Sequence, residues 1–289
     1  MMLTVQANAK INLTLDVLYK RADGFHQVEM IMQAIELADK LTLEKRPSGT
    51  ISITANIGHL PCDHRNLAFQ AALLIKESCQ VKSGVHIALE KNIPMSAGLA
   101  GGSSDAAAVL LGLNRLWSLG LSLEELKGLG AKLGSDVPFC LIGGTALATG
   151  RGELLAPLPP LTPCHVVLAK PRIGVSTAWV YGKYRGIGVN HPDTAGVQRA
   201  LEQSDLSGVT NRLSNVLESV TISEYPQIGK LKESMMQYGA MASLMSGSGP
   251  TVFGLAEDQS KAEYIADKLR SQHDVEVIVT KTAAESREI

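Results

Sequence analysis

Residues 93–110 read IPMSAGLAGGSSDAAAVL, three glycines and three serines ahead of an apolar helical run. The stretch before them, GVHIALEKNIP, places Val85, Ile87 and Leu89 on one parity, the mark of a strand. Strand, glycine loop and helix in that order make an anion site. A helix N-terminus presents unpaired backbone N–H groups and a partial positive charge. Glycines let that backbone approach a phosphate closely, and Ser103 and Ser104 add hydroxyl donors. Neither the Gly-x-x-x-x-Gly-Lys-[Ser/Thr] pattern nor Gly-x-Gly-x-x-Gly is present, so the loop is neither a P-loop nor a dinucleotide fingerprint. Its positive potential comes from the helix end, without a lysine inside the loop.

Two further segments carry residue types suited to proton and phosphate chemistry. Lys10 stands beside Asn12 in NAKINL, and Asp136 stands in GSDVPF. On their own these read as a lysine on the polar face of a strand and an aspartate capping a helix that follows Gly134. A second glycine loop, LMSGSGPTVFGL, spans residues 244–255.

The elements that position these residues follow from periodicity. Val5, Ala7, Ala9, Ile11, Leu13 and Leu15 alternate with Gln6, Asn8, Lys10, Asn12, Thr14 and Asp16, which predicts a strand with one buried and one polar face. ADGF reads as a turn, VEMIMQAIEL as extended, and KLTLEKR and TISITANI as short strands joined through PSG. NLAFQAALLIKESC reads as a helix capped by Asn66, and Ser122 with Glu125 as a capping box. GGTALATGRGE reads as turn-rich, and LAPLPPLTP (155–163) is the candidate domain boundary. Beyond it come a strand at HVVLAK, helices between about 176 and 238, a helix near 259–271 and a closing strand, VEVIVTK. The class is α+β in both halves.

Composition narrows the function. The 289 residues are 45% hydrophobic and 19% charged, a globular balance. With 27 Lys+Arg against 28 Asp+Glu, the chain lacks the basic excess of a nucleic-acid binder. Its four cysteines form no Cys-x-x-Cys pair, which argues against a zinc or redox site. The N-terminus does not read as a signal peptide and no apolar run approaches a membrane span, so a cytoplasmic protein without a membrane partner is expected.

At PMSAGLAGGSSDAAA a resemblance emerges. The segment is similar to the Pro-x-x-x-Gly-Leu-x-Ser-Ser-x-Ala motif of the GHMP kinases, the superfamily of galactokinase, homoserine kinase and mevalonate kinase. The resemblance runs from AKINL to GPTVFGL and includes all three superfamily motifs in order. It implies a two-domain fold: an N-terminal ribosomal-protein-S5-domain-2-like domain, here residues 1–155, and a C-terminal ferredoxin-like α/β sandwich, residues 156–289, with the site between them. It implies that Pro94, Met95, Ser96, Ala97, Gly98, Leu99, Ala100, Gly101, Gly102, Ser103 and Ser104 wrap the phosphates of ATP, with Asn66 and Lys91 lining the adenine pocket. Mg²⁺ is expected with ATP, its protein ligands unassigned. Catalysis falls to Lys10 and Asp136: the aspartate accepts the proton of the acceptor hydroxyl and the lysine offsets developing phosphoryl charge.

The extra glycines and the ADGFH segment resemble one branch of the superfamily, whose acceptor carries a cytidyl group. That branch implies Phe25 and His26 at the cytosine, with Asn12, Thr177 and Tyr181 at the same substrate. Ala100 stands where the branch commonly has glycine; alanine is small, so the loop shape is expected to hold. The resemblance implies a small-molecule kinase, as a monomer or weak homodimer. The competing readings are another acceptor within the superfamily and a nucleotide-binding regulator without turnover. The presence of Lys10 and Asp136 speaks against the regulator.

Overall fold

In the computed structural model, which describes residues 1–283, one long hairpin organises the first half. Strand β1 (Met2–Lys20) pairs antiparallel with β2 (His26–Arg46), in a register running from Met2 opposite Glu44 to Lys20 opposite His26. The stretches VEMIMQAIEL and KLTLEKR are therefore one continuous strand, not two. The chain continues through β3 (Ile51–Ala55), α1 (Leu67–Ser78), β4 (Gly84–Glu90), α2 (Gly101–Leu116), α3 (Leu123–Leu133), α4 (Val137–Ile142), β5 (Thr145–Thr149) and β6 (Leu154–Pro157). The second half adds β7 (His165–Pro171), α5 (Thr177–Lys183), α6 (Thr194–Glu202), α7 (Leu206–Thr210), β8 (Ser214–Asn215), α8 (Glu218–Glu224), α9 (Pro226–Gln237), β9 (Ala242–Met245), β10 (Val252–Ala256), α10 (Gln259–Gln272) and β11 (Val275–Lys281).

Two sheets result. The larger has the order β3-β4-β2-β1-β8, with β5 on β2 and β6 on β5. The smaller has the order β11-β7-β10-β9. Residues 145–149, read as turns from their glycine surroundings, form β5 because Ala146 and Ala148 alternate into the core opposite β2. β8 lies in the second half of the chain yet pairs parallel with Thr14 and Leu15 of β1.

Three apolar layers follow from this stacking. Leu41, Leu43 and Ile87 pack against Ala71, Ile75, Ala107 and Leu110 of α1 and α2. Ala9, Ile11 and Leu13 meet Val166, Leu168, Phe253 and Leu255, so the middle of the odd face of β1 is covered by the smaller sheet. Val167, Ala169 and Val252 pack on Leu231, Met235, Ile265 and Leu269 of α9 and α10. The even face of β1 departs from its expected solvated state: Lys10, Asn12, Thr14 and Asp16 are all buried. The glycine loop and α4 account for part of this cover, since Leu99 O accepts from Lys10 N (3.2 Å) and Asp136 lies beside Lys10.

The short β8 is held by one side chain. Asn215 Nδ2 donates to Met245 O and Gly247 O, each at 2.8 Å, and its Oδ1 accepts from Leu217 N at 3.0 Å. Asn215→Ala leaves these buried backbone groups without that partner. It is expected to lower stability by about 2–3 kcal/mol, read as an earlier midpoint in urea unfolding with an unchanged slope.

Candidate active site

The loop between β4 and α2 is shaped by backbone that turns left-handed three times: Ser96 at φ 50°, Gly98 at 75° and Ala100 at 59°. Ala100 occupies the N-cap position of α2 and offers no side-chain cap. The opening N–H groups of α2 thus stay available to a ligand. The alanine keeps the turn, but in a conformation that costs an L-residue energy and glycine almost none. At Gly98 a side chain is excluded outright, because a Cβ would fall 2.2 Å from Ser246 O. Ser246 Oγ in turn donates to Gly98 O at 2.9 Å, so the two glycine loops interlock. Ser103 borders the cavity in front of the loop. Ser104 does not: it is buried, and its hydroxyl donates backward to Asn8 O (2.6 Å) and approaches Cys140 Sγ (3.2 Å).

Asn66 and Lys91 border the same cavity with their polar atoms already engaged. Asn66 Oδ1 accepts from Ala68 N (2.9 Å) and its Nδ2 donates to Pro61 O (2.8 Å), a helix cap as its sequence position implied. Lys91 Nζ is buried between the carboxylates of Asp39 and Asp105.

Lys10 and Asp136 meet across the strand-to-helix boundary, with Nζ 3.6 Å from Oδ2. Lys10 Nζ also donates to Asn12 Oδ1 at 2.8 Å, and Asn12 Nδ2 reaches Met30 Sδ at 3.2 Å. Asn12 is fully buried behind the lysine and does not line the cavity. Asp136 sits at the N-cap position of α4 yet makes no side-chain cap bond, so its carboxylate is not tied to its own helix. With a side-chain exposure of 30%, it faces open space that a hydroxyl can enter.

The far end of the cavity is aromatic. The turn at residues 21–25 is closed by Phe25 O accepting from Arg21 N (2.8 Å) and Asp23 Oδ1 accepting from Phe25 N (3.1 Å). Phe25 is half exposed and carries the Arg151 guanidinium 4.8 Å above its ring. The His26 and Tyr181 rings lie 5.3 Å apart at 39°. Burial and the nearby Lys20 charge lower the His26 imidazole below its ordinary value, which favours the neutral ring, one nitrogen donating and one accepting. Burial, followed by the Asp136 charge, raises the Tyr181 phenol, so it remains a donor. Thr177 Oγ1 is 2.9 Å from Ser248 Oγ in the second glycine loop.

One cavity of about 930 Å³ joins these parts, from Asn66 and the glycine loop through Lys10 and Asp136 to Phe25, His26, Thr177 and Tyr181. Among the described residues no group of three or more His, Cys, Asp or Glu side chains could hold a metal ion. No helix among them is long and apolar enough to cross a membrane.

Comparison with known proteins fits this geometry. The family model of the GHMP kinases N terminal domain matches residues 66–144, and that of the GHMP kinases C terminal matches 190–275. A 4-diphosphocytidyl-2-C-methyl-D-erythritol kinase from a Geobacillus species is 54% identical over 270 residues, 93% of each chain. Its counterpart from Brevibacillus brevis is 51% identical over 290 residues, 100% of this chain and 99% of that one. The chain belongs to the 4-diphosphocytidyl-2-C-methyl-D-erythritol kinase family of the GHMP kinases. A crystal structure of a 4-(cytidine 5'-diphospho)-2C-methyl-D-erythritol kinase superposes with a TM-score of 0.82 at 35% identity, covering 98% of this chain and 100% of the other.

The GHMP kinase family uses ATP, and its N terminal and C terminal models span the first and the second glycine loop respectively. It does not by itself point to Arg151, which lines the cavity over Phe25, or to the Asp39 and Asp105 carboxylates around Lys91. An arginine between two glycines in GRGE was the visible signal for the first. The second had none, because the three residues of the ion cluster are 14 and 52 positions apart.

The loop geometry makes two opposed expectations. Gly98→Ala drives a Cβ into the Ser246 carbonyl and is expected to cost more than about 3 kcal/mol. Ala100→Gly relieves the left-handed strain and is expected to gain about 0.5–1 kcal/mol. Thermal melts of the two variants beside wild type check both signs.

Proposed function

We propose that this protein transfers the γ-phosphoryl group of ATP to the 2-hydroxyl of 4-diphosphocytidyl-2-C-methyl-D-erythritol, in the supply of isoprenoid precursors without mevalonate. The observation that carries the reading is the Lys10–Asp136 pair, which lies within one cavity between a phosphate-shaped loop and an aromatic end suited to a base. The nucleotide lies along the glycine loop, its phosphates at the N-terminus of α2. The cytosine lies among Phe25, His26 and Tyr181, and Thr177 closes that end with Ser248.

Asp136 accepts the proton of the acceptor hydroxyl as its oxygen attacks the γ-phosphorus. The bond from that phosphorus to the β–γ bridging oxygen breaks, and ADP leaves. Lys10, aligned by Asn12, stabilises the charge on the transferring group. Asn12 thus serves the substrate through Lys10. Mg²⁺ bound together with ATP would be held mainly by the phosphates and water, and would supply charge neutralisation there.

Asp136→Ala is expected to lower kcat by about a hundredfold to ten-thousandfold while ATP affinity stays near wild type, measured by coupled ADP release and by calorimetry. Near wild-type turnover in that variant rejects the base assignment. In a substrate panel, phosphorylation of mevalonate or homoserine without the cytidyl acceptor rejects the substrate assignment. ATP binding without turnover on any acceptor makes the chain a regulator.

A further inference from the structure

The cluster around Lys91 lies outside the reaction just described. Asp39, in the middle of β2, accepts at Oδ1 from Asn92 N (2.6 Å) and Ile93 N (2.8 Å), the residues that lead into the glycine loop. Its Oδ2 meets Lys91 Nζ. The same ammonium donates to Asp105 Oδ2 at 2.7 Å, in the second turn of α2, one turn beyond the end of the loop. The three side chains thus join the entry of the loop to its exit. Lys91 Nζ lies 3.4 Å from the position a Cβ would take at Gly101, the first residue of α2. One ammonium shared by two ionised carboxylates leaves a buried cluster with a net negative charge, and Asp105 Oδ1 is buried with no hydrogen-bond partner.

We propose that Asp105 is a positioning residue for the nucleotide: acting through Lys91, it clasps the two ends of the glycine loop, and its charge sets how tightly the loop holds polyphosphate. This rests on the reading of the loop as the nucleotide site. Three titratable groups face Asp105. Asp39 comes from β2 and Lys91 from the turn after β4. Cys140 comes from α4, a neutral thiol that burial pushes up to about 12. Burial, against the pull of Lys91, raises the Asp105 carboxyl to about 7. Protonated, the Asp105 carboxyl adds no charge to the cluster; ionised, it adds one negative charge beside the helix end that cradles phosphate. Nucleotide affinity therefore falls as pH rises through that value.

Asp105→Asn keeps an acceptor for Lys91 and removes the charge; Asp105→Ala removes the bridge. ADP is titrated calorimetrically into wild type and Asp105→Asn at about pH 6 and about pH 8.5. Equal affinities are expected at the lower pH, with the variant tighter by about threefold or more at the higher. In steady-state assays Asp105→Ala is expected to raise KM for ATP by about tenfold, with kcat and the acceptor KM within about twofold. If Asp105→Ala does not fold, the Asp105→Asn comparison decides alone. Matching affinities of wild type and Asp105→Asn at both pH values overturn the inference. So does a fall in kcat with no change in KM for ATP. Failure of wild type to bind ADP at either pH overturns the nucleotide reading of the loop together with the inference.

Discussion

A buried ammonium has to be paired, and Lys10 imposes that constraint on everything around it. Its side chain is buried except where it borders the cavity, so the charge depends on the partners that meet it there. Asn12 and Asp136 satisfy it, and each is placed by a different element. The strand presents Lys10 and Asn12 together between two register shifts, at Asn8/Lys10 and Asn12/Thr14. The turn after α3 must deliver Asp136 without using its carboxylate as a cap. The glycine loop must come near enough for Leu99 O to accept from Lys10 N. One charge therefore sets the relative position of strand, loop and helix.

The second constraint is close approach between backbones. Gly98 and Ser246 touch with no room for a side chain, and Asn215 fastens the Gly247 carbonyl from behind. The smaller sheet contributes to the cavity through these contacts and through Ser248 with Thr177. The first glycine loop and the aromatic end of the cavity are thus joined through the second loop.

Much of this was legible in the sequence, for identifiable reasons. Period-two alternation exposes β1, and the strand–glycine–helix order exposes the loop between β4 and α2. Asn66 and the Ser122–Glu125 box mark helix starts because capping is local. What stayed hidden is non-local. The polar parity of β1 reads as a solvated face until α4 and the loop are known to lie upon it. Ser104 reads as a phosphate donor until its hydroxyl is seen bonded to Asn8. The ion cluster at Lys91 combines residues from a strand, a turn and a helix, and no spacing rule gathers them. Ala100 is the opposite case: a local property, its left-handed backbone, hidden because alanine rarely adopts it.

The parallel pairing of β8 with β1 has a consequence for synthesis. Thr14 and Leu15 near the N-terminus receive their partners from Ser214 and Asn215. While the ribosome is still making the second half, β1 has β2 on one side and an open edge on the other. Its odd, apolar face also waits for Val166, Leu168 and Phe253. An unpaired edge beside uncovered apolar surface is the geometry that draws nascent chains into aggregation. The interval between translation of the first strand and its closure by β8 is therefore the period in which that edge and its apolar surface are open.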